Sequence, residues 1–343
     1  MRALVLENPG PSLSLVMKEA PTPSPDDGEV LVRVRACGFC HHDLLVMAGV
    51  LRRGVNLPLV LGHEVAGQVE RVGPGVEAVV PGDRVVCLPT TSCGRCPPCS
   101  EGRDHRCLKG QGLGHSVNGG MAQYIKVQES ALVKVPSRMP WEEACLLACP
   151  MGVGLLAMEA ATKVGKGATV VVTGAGGGLG IHLVQMAGLR GARVLAVTSS
   201  PEKADSIKSL GAEDVILTGA LNFSEVVLAL TEDRGADVVL DTVGSPLWPD
   251  TLNCLASNGR LVALGEVLGR EVRLNLAEVI FRDATIIGSS GVSKKHVEEI
   301  VRLVDQGKLR GVIHRVVPWA EAMEAYALLT ERKALGRVVL KID

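Results

Sequence analysis

The sequence predicts an α/β fold in two parts: a mainly β domain that carries metal-ligand side chains, and a cofactor domain built on a doubly wound parallel sheet. Three observations lead there. A chain of 343 residues is long for one hydrophobic core and suits about two. Cysteines crowd the short stretch from Cys87 to Cys107. From about Gly165 onward, short apolar runs alternate with amphipathic stretches, and a glycine-rich turn joins the first pair.

Composition removes several function classes. Hydrophobic residues make up 47% of the chain, enough to fill two cores. The formal net charge is -1 with the signs interspersed, which leaves no broad basic footprint for nucleic acid or an anionic membrane. A small-molecule partner is expected instead. The opening stretch "MRALVLENPGPSLSLVMKEAPTPSP" lacks the apolar centre of a signal peptide. No run is expected to approach the ~18 apolar residues of a membrane span. The expectation is a cytoplasmic chain, where 10 cysteines point to metal rather than to disulfides.

The first elements of chemical interest are "VRACGFCHHDLLVMAGV", "PLVLGHEVAGQVERVGPGV" and, much later, "EEACLLACPMGVGLLAM". A catalytic zinc takes three protein ligands of mixed sulfur and nitrogen type and keeps a fourth position open. Cys40, His63 and Cys149 could supply that set. Spacing alone leaves the alternative open, because a solitary cysteine or histidine more often packs in a core. The cluster between them is sharper. Cys93, Cys96, Cys99 and Cys107 stand at C-x2-C-x2-C-x7-C, and four thiolates satisfy a zinc ion with no position left for substrate, so this site is structural. Gly94, Pro97, Pro98 and Gly102 are expected to form turns and nothing regular. Cys87, in "DRVVCL", belongs to a core strand.

In the second half, "GATVVVTGAGGGLGIHLVQMAGLRGARVLAVTSS" reads as apolar strand, glycine-rich turn, amphipathic helix and second strand. Glycines at Gly174, Gly176, Gly177, Gly178 and Gly180, with Leu179 among them, let the backbone approach a pyrophosphate at a helix N-terminus. An acidic residue ending the second strand would bind the ribose of NAD, but this strand ends on Thr198, Ser199 and Ser200, with Lys203 close behind. A carboxylate would repel a 2'-phosphate and these groups would not, so NADP(H) is favoured over NAD(H). Further apolar runs in "GAEDVILTG", "GADVVLDTVG" and "GRLVALGEV" extend the sheet to about six strands. Thr242, Val243 and Gly265 fall at strand ends, where such sheets hold ligands.

Together, "GFCHHD", "GHEVAGQVERVG", the four-cysteine cluster and "CLLACPMGVG" resemble the zinc-dependent medium-chain alcohol dehydrogenases, over essentially the whole chain. The resemblance implies a GroES-like catalytic domain over 1–150 and 291–343, with a structural zinc lobe at 87–110, and a Rossmann NAD(P)-binding domain over 151–290. It implies two zinc ions per chain. Cys40, His63 and Cys149 would hold the catalytic one, Glu64 would be an occasional fourth ligand, Asp43 would orient the site and Cys145 would stay in the core. It also puts His41 where the family approaches the cofactor phosphates, and the "DTVG" segment beside the nicotinamide.

One position departs from the pattern. Family members that oxidise alcohols usually carry Ser or Thr before this Asp, and here His42 stands instead. Histidine can relay a proton near neutral pH, meet a substrate group, or pack. The expected activity is hydride transfer between an alcohol and NAD(P), or the reverse reduction of an aldehyde or ketone. The alternative is an NADPH-dependent reductase of acryloyl-coenzyme A or quinones, which "DTVGSP" and the glycine turn also resemble and which the absent hydroxyl suits. A non-enzymatic member of the superfamily would be expected to have lost a ligand, and none is missing. Aromatic residues are 2% of the chain, so an aliphatic substrate pocket is expected unless Phe39, Trp141 or Phe281 reaches it. "DATIIG" resembles the strand that joins subunits, so a homodimer or homotetramer is expected.

Overall fold

The computed structural model describes residues 1–10, 15–219 and 222–343. The chain divides into two compact units, Met1–Val153 with Gly291–Asp343, and Gly154–Ser290.

The first unit is built on a seven-stranded sheet. The spatial order is Ile313–Pro318, Arg337–Lys341, Glu29–Phe39, Glu64–Val72, Arg84–Cys87 and Leu132–Lys134, with Tyr124–Gln128 also paired to Glu29–Phe39. Valine at alternate positions of "EVLVRVRACGF" favours a pleated, half-buried strand, and Val30, Val32 and Val34 enter the core with Phe39, Leu61, Val65, Met121, Trp319 and Val338. Register matters most for function. Gly38 lies opposite Glu64 and Phe39 opposite Val338, so Cys40, Glu64 and Arg337 arrive at one end of the sheet. A smaller three-stranded sheet, Val16–Glu19, Arg2–Leu6 and Leu59–Val60, covers the N-terminus.

The second unit is a six-stranded parallel sheet in the order Asp214–Leu217, Arg193–Thr198, Thr169–Val172, Ala236–Asp241, Leu255–Ala263 and Thr285–Gly288. Numbered along the chain this is 3-2-1-4-5-6, the doubly wound order expected from the alternating pattern. Val170–Val172, Leu195, Val197, Val239 and Leu240 are buried without interruption, as strands covered on both faces must be. The order reverses between Thr169–Val172 and Ala236–Asp241, and the loops leaving those two strands carry the glycine turn and "DTVG".

Two expectations are corrected. The helical run Trp141–Ala161 is long and apolar enough to cross a membrane, although no such run was expected. Its charges sit near the ends, at Glu142, Glu143 and Glu159, and 72% of its apolar window is buried inside the protein, the mark of a core helix. The cysteine loop also contains regular structure: Pro97–Ser100 forms one helical turn and Asp104–Arg106 a 3-10 turn. Proline is tolerated in a first turn, whose N–H groups have no partner in the helix.

Candidate active site

The site is assembled by the loop after Glu29–Phe39, the start of Glu64–Val72 and a break in a helical run. Cys40 precedes the helix His41–Met47, and its N–H donates to Asp43 Oδ2 at 2.9 Å. The other oxygen of Asp43 accepts from Gly62 N–H at 3.3 Å and lies 3.7 Å from His63 Nδ1. One buried carboxylate therefore ties the cysteine loop to the histidine loop. Gly62 has φ +93°, and Gly38 leaves room for Glu64, whose Oε2 would lie 2.1 Å from a Cβ there. Cys149 is extended (φ -125°, ψ 123°) between helical segments, which turns its thiol out of the run.

The donor atoms of Cys40, His63, Glu64 and Cys149 all lie within 4.8 Å of one another. Zinc bonds of ~2.0–2.3 Å require donors about that close, and two thiols, an imidazole and a carboxylate are the donor types zinc prefers. Neither Glu64 oxygen makes a hydrogen bond, although both are buried. Arg337 Nη2 stands 2.8 Å from Glu64 Oε1 as its one ion pair with an arginine or lysine among the described residues. The residues present thus fit a zinc ion. Burial pushes the Glu64 carboxyl up to about 8 despite that guanidinium. The Cys40 thiol is held well below its ordinary value by a hydrogen bond from Cys149, with Arg337 and His63 helping, and Cys149 as donor is correspondingly raised. Thiolate character at Cys40 is what a metal needs.

His42 packs edge-on against His63, with ring centroids 5.1 Å apart and planes at 82°, and lies 5.2 Å from His115. Burial lowers its pKa, and the proximity of His63 lowers it further, so the ring is neutral. Its Nδ1 is buried without a hydrogen bond. His115 Nε2 lies 2.9 Å from the Arg53 carbonyl, an acceptor only, so that nitrogen carries the proton. His41 is exposed. Phe39 is in the core, Trp141 lies under Arg84 with Cζ 3.3 Å from the ring centroid, and Phe281 is 85% exposed. Cys87 and Cys145 are fully buried.

The second cluster is equally compact. Cys96 Sγ lies 3.4 Å from Cys99 Sγ and 3.8 Å from Cys107 Sγ. Thiolates on one zinc at ~2.3 Å stand ~3.8 Å apart, so the lobe fits the ion. Backbone N–H groups of Arg95 and Cys96 pull the Cys93 thiol down to about 6. The lobe is pinned to the returning chain: Lys294 N–H donates to Asp104 Oδ2, and Ser293 Oγ donates to the Gly102 carbonyl.

In the second unit, Gly174 has φ +57° and Gly180 closes the turn, since a Cβ on Gly180 would sit 2.3 Å from the Gly174 carbonyl oxygen. The helix Gly180–Leu189 starts there, after Leu179, and the Gly178 carbonyl accepts from His182. Lys203 lies along the turn, its Cδ 2.8 Å from an ideal Cβ on Gly176, so Gly176 makes room for that side chain. Gly177 continues the turn by donating to the Gly174 carbonyl. Thr198 and Ser200 are buried beside one another and Ser199 is exposed. Thr242 Oγ1 donates to the Thr173 carbonyl at 2.8 Å, Val243 N–H donates to Asp241 Oδ1, and Gly265 has no room for a Cβ, which would lie 2.1 Å from Thr242 O. The candidates of this unit therefore gather at the ends of the four central strands, two on each side of the order reversal, where sheets of this kind hold their ligands.

Two residues of the first site escaped sequence reasoning. Arg337 is an arginine at the head of the apolar strand "RVVLK", and that misplaced charge was the available signal. His115 had no signal, because its neighbours in sequence are ordinary loop residues.

Comparison with known proteins agrees with this architecture. Residues 26–137 match the family described as the alcohol dehydrogenase GroES-like domain, and residues 178–306 match the zinc-binding dehydrogenase family. The chain is 36% identical to the acryloyl-coenzyme A reductase of Metallosphaera sedula, covering 99% of both chains. It is 31% identical to an NAD-dependent alcohol dehydrogenase of Sulfurisphaera tokodaii, again over 99% of both. Among solved structures it superposes on AibC with a TM-score of 0.91 at 39% identity, covering 99% of this chain and 95% of that one. It superposes on an NAD-dependent alcohol dehydrogenase with a TM-score of 0.92 at 37% identity, covering all of both. The chain is an oxidoreductase of the zinc-type medium-chain dehydrogenase/reductase family.

Proposed function

We propose that this chain uses NADPH to reduce the carbon–carbon double bond of a small α,β-unsaturated acyl thioester. The observation that carries this reading is His42, a neutral imidazole wedged against His63 where alcohol-oxidising members keep a hydroxyl, in a chain whose full-length relatives include acryloyl-coenzyme A reductases. Cys40, His63 and Cys149 would hold the zinc, with Glu64 in reserve. When bound there, the ion supplies Lewis-acid polarisation of a carbonyl oxygen.

The remaining work falls to the protein. Asp43 Oδ1 lies 3.7 Å from His63 Nδ1, so its charge lies on that side of the ring and favours Nε2 as the nitrogen for the metal. Arg337 keeps Glu64 in place; a bound nicotinamide would supply hydride for the β-carbon of the substrate, which leaves the protein to deliver a proton to the α-carbon. His42 Nδ1, buried and without a partner, is the atom suited to relay that proton, the neutral ring taking up another from solvent as it gives one up. The turn Gly174–Gly180 binds the pyrophosphate, and Thr198, Ser200 and Lys203 receive the 2'-phosphate.

A second reading is reversible oxidation of an alcohol to an aldehyde or ketone, favoured by the complete donor set of Cys40, His63, Glu64 and Cys149. Steady-state assays with NADPH and NADH against acryloyl-coenzyme A, quinones, aldehydes and alcohols separate the two. Oxidation of NADPH with acryloyl-coenzyme A, lost on chelation and restored by zinc, is the expected result. Turnover of alcohols or aldehydes with none on any enoyl thioester sinks the first reading and leaves the second. We further propose a cytoplasmic homo-oligomer, joined through the exposed strand Thr285–Gly288 and its neighbour Phe281.

A further inference from the structure

Two loops leave adjacent parallel strands of the second unit, Asp241–Ser245 after Ala236–Asp241 and Leu264–Gly269 after Leu255–Ala263. The first loop carries Thr242 and Val243, residues assigned above to the cofactor. Backbone contacts join the loops: Leu264 N–H donates to Asp241 O at 2.8 Å and Val267 N–H to Val243 O at 3.1 Å. What locks them is one side chain. Glu266 Oε2 accepts from Ser245 N–H at 2.8 Å, and Glu266 Oε1 accepts from Ser245 Oγ at 2.7 Å and from the N–H groups of Leu268 and Gly269, each at 2.9 Å. Gly244 is the point of closest approach, with φ +82° and room for no Cβ, since one would lie 2.5 Å from Glu266 Oε2. From the other side, Asp241 Oδ1 accepts from Thr173 Oγ1 at 2.6 Å and from the N–H groups of Val243 and Gly244. Thr173 immediately precedes the glycine turn, so a single network runs from that turn through Asp241 to Glu266.

We infer that Glu266 is a positioning residue for the nicotinamide cofactor: its carboxylate fastens Ser245 and thereby holds Thr242–Gly244 in the shape the cofactor meets. Among the described residues no cation pairs with Glu266, and its hydrogen-bond partners are N–H and O–H donors from the two loops. Burial tends to push the carboxyl up, but the hydrogen bonds from Ser245, Leu268 and Gly269 outweigh it and hold the group ionised. Glu266 itself is exposed, so the fold does not need it as core. Its energy goes into fixing two loops that would otherwise be free to sample other shapes, an ordering that cofactor binding would then have to supply.

The inference rests on the cofactor half of the proposed function and not on the identity of the substrate. The test is the dissociation constant of NADPH and of NADH for the zinc-loaded protein, measured by cofactor fluorescence without substrate. Glu266→Gln turns an amide N–H toward the Ser245 N–H, and Ser245→Ala removes only the hydroxyl bond. We expect Glu266→Gln to weaken both cofactors about 10-fold, Ser245→Ala to weaken them by about 3-fold, and the NADPH-to-NADH preference to stay as in the unmodified protein, because these loops are distinct from Lys203 and the strand end that meet the 2'-phosphate. The melting temperature of the cofactor-free variants should stay within about 2 °C of the unmodified protein, since exposed sites move stability little. Both constants unchanged within 2-fold would overturn the inference, as would a loss confined to NADPH or a fall in melting temperature with affinity intact. An unmodified protein that binds neither cofactor would sink the cofactor reading itself, a result distinguishable from variants that merely match it.

Discussion

Gly62→Ala tests whether the backbone before His63 sets the metal site. At φ +93° an L-residue is strained, at a cost of about 1–2 kcal/mol. The added methyl would also sit 2.5 Å from Cys37 Sγ, 3.0 Å from Met121 Cγ and 3.2 Å from Met121 N, and Cys37 and Met121 are both fully buried. Overpacking of this kind adds about 1–3 kcal/mol. The sum, about 2–5 kcal/mol, corresponds to a fall of roughly 5–15 °C in Tm at this domain size. Relief requires Gly62 to move, and its N–H holds Asp43 while its carbonyl side leads directly into His63, so the metal-facing imidazole moves with it. The assay pairs thermal unfolding with elemental analysis of dialysed protein. We expect one zinc per chain in Gly62→Ala, the lobe retaining its ion, against two in the unmodified protein. Gly82→Ala is the control, because Gly82 has φ +95° but nothing within 4 Å of its Cβ; it should lose only the backbone term and keep both ions. Two zinc ions and a Tm within about 2 °C in Gly62→Ala would refute the reasoning.

Three further outcomes are expected. Measured above pH 8, where the Glu64 carboxyl is ionised, Arg337→Met strands a fully buried charge and should cost about 3–5 kcal/mol by urea unfolding, with Glu64→Gln added in the same chain recovering at least half; equal stability of Arg337→Met and the unmodified protein there would contradict the pairing. Lys203→Ala should lower kcat/KM about 10-fold with NADPH and leave NADH unchanged, and a parallel loss with both cofactors would remove Lys203 from the 2'-phosphate. Burial raises the pKa of Asp241 above its unfolded value, so its contribution to stability is greatest below the ordinary carboxylate pKa and is lost as pH rises through the raised one. Asp241→Asn keeps the acceptor used by Thr173, Val243 and Gly244 and should flatten that decline; a variant whose unfolding follows the same pH curve as the unmodified protein would contradict this assignment.

Much of this molecule is legible in its sequence because the patterns concerned are local. A tight C-x2-C-x2-C run brings sulfurs together whatever surrounds it, and strand–glycine turn–helix texture predicts a doubly wound sheet because chirality and short connections leave few alternatives. Where sequence reasoning failed, the cause was local in the cysteine loop and interaction at a distance elsewhere. Turns were expected throughout the cysteine loop, but prolines in a first turn permit a helix, and the membrane-length run Trp141–Ala161 is explained by the packing around it rather than by its composition. Arg337 and His115 were missed because each meets the site from a remote segment.

The residue types thus determined by themselves that two sets of candidate metal donors and a glycine-rich strand-to-helix turn exist on one chain. Tertiary structure alone decided that the strand Glu29–Phe39 does not crowd the Glu64 carboxylate, since Gly38 is the residue that faces it, and that Asp43 joins Cys40 to the His63 loop while Arg337 pairs with Glu64. The physical reason is that covalent order constrains contacts only over a few residues, whereas the position of a donor atom to within an ångström depends on sheet register and on which side chain fills each gap.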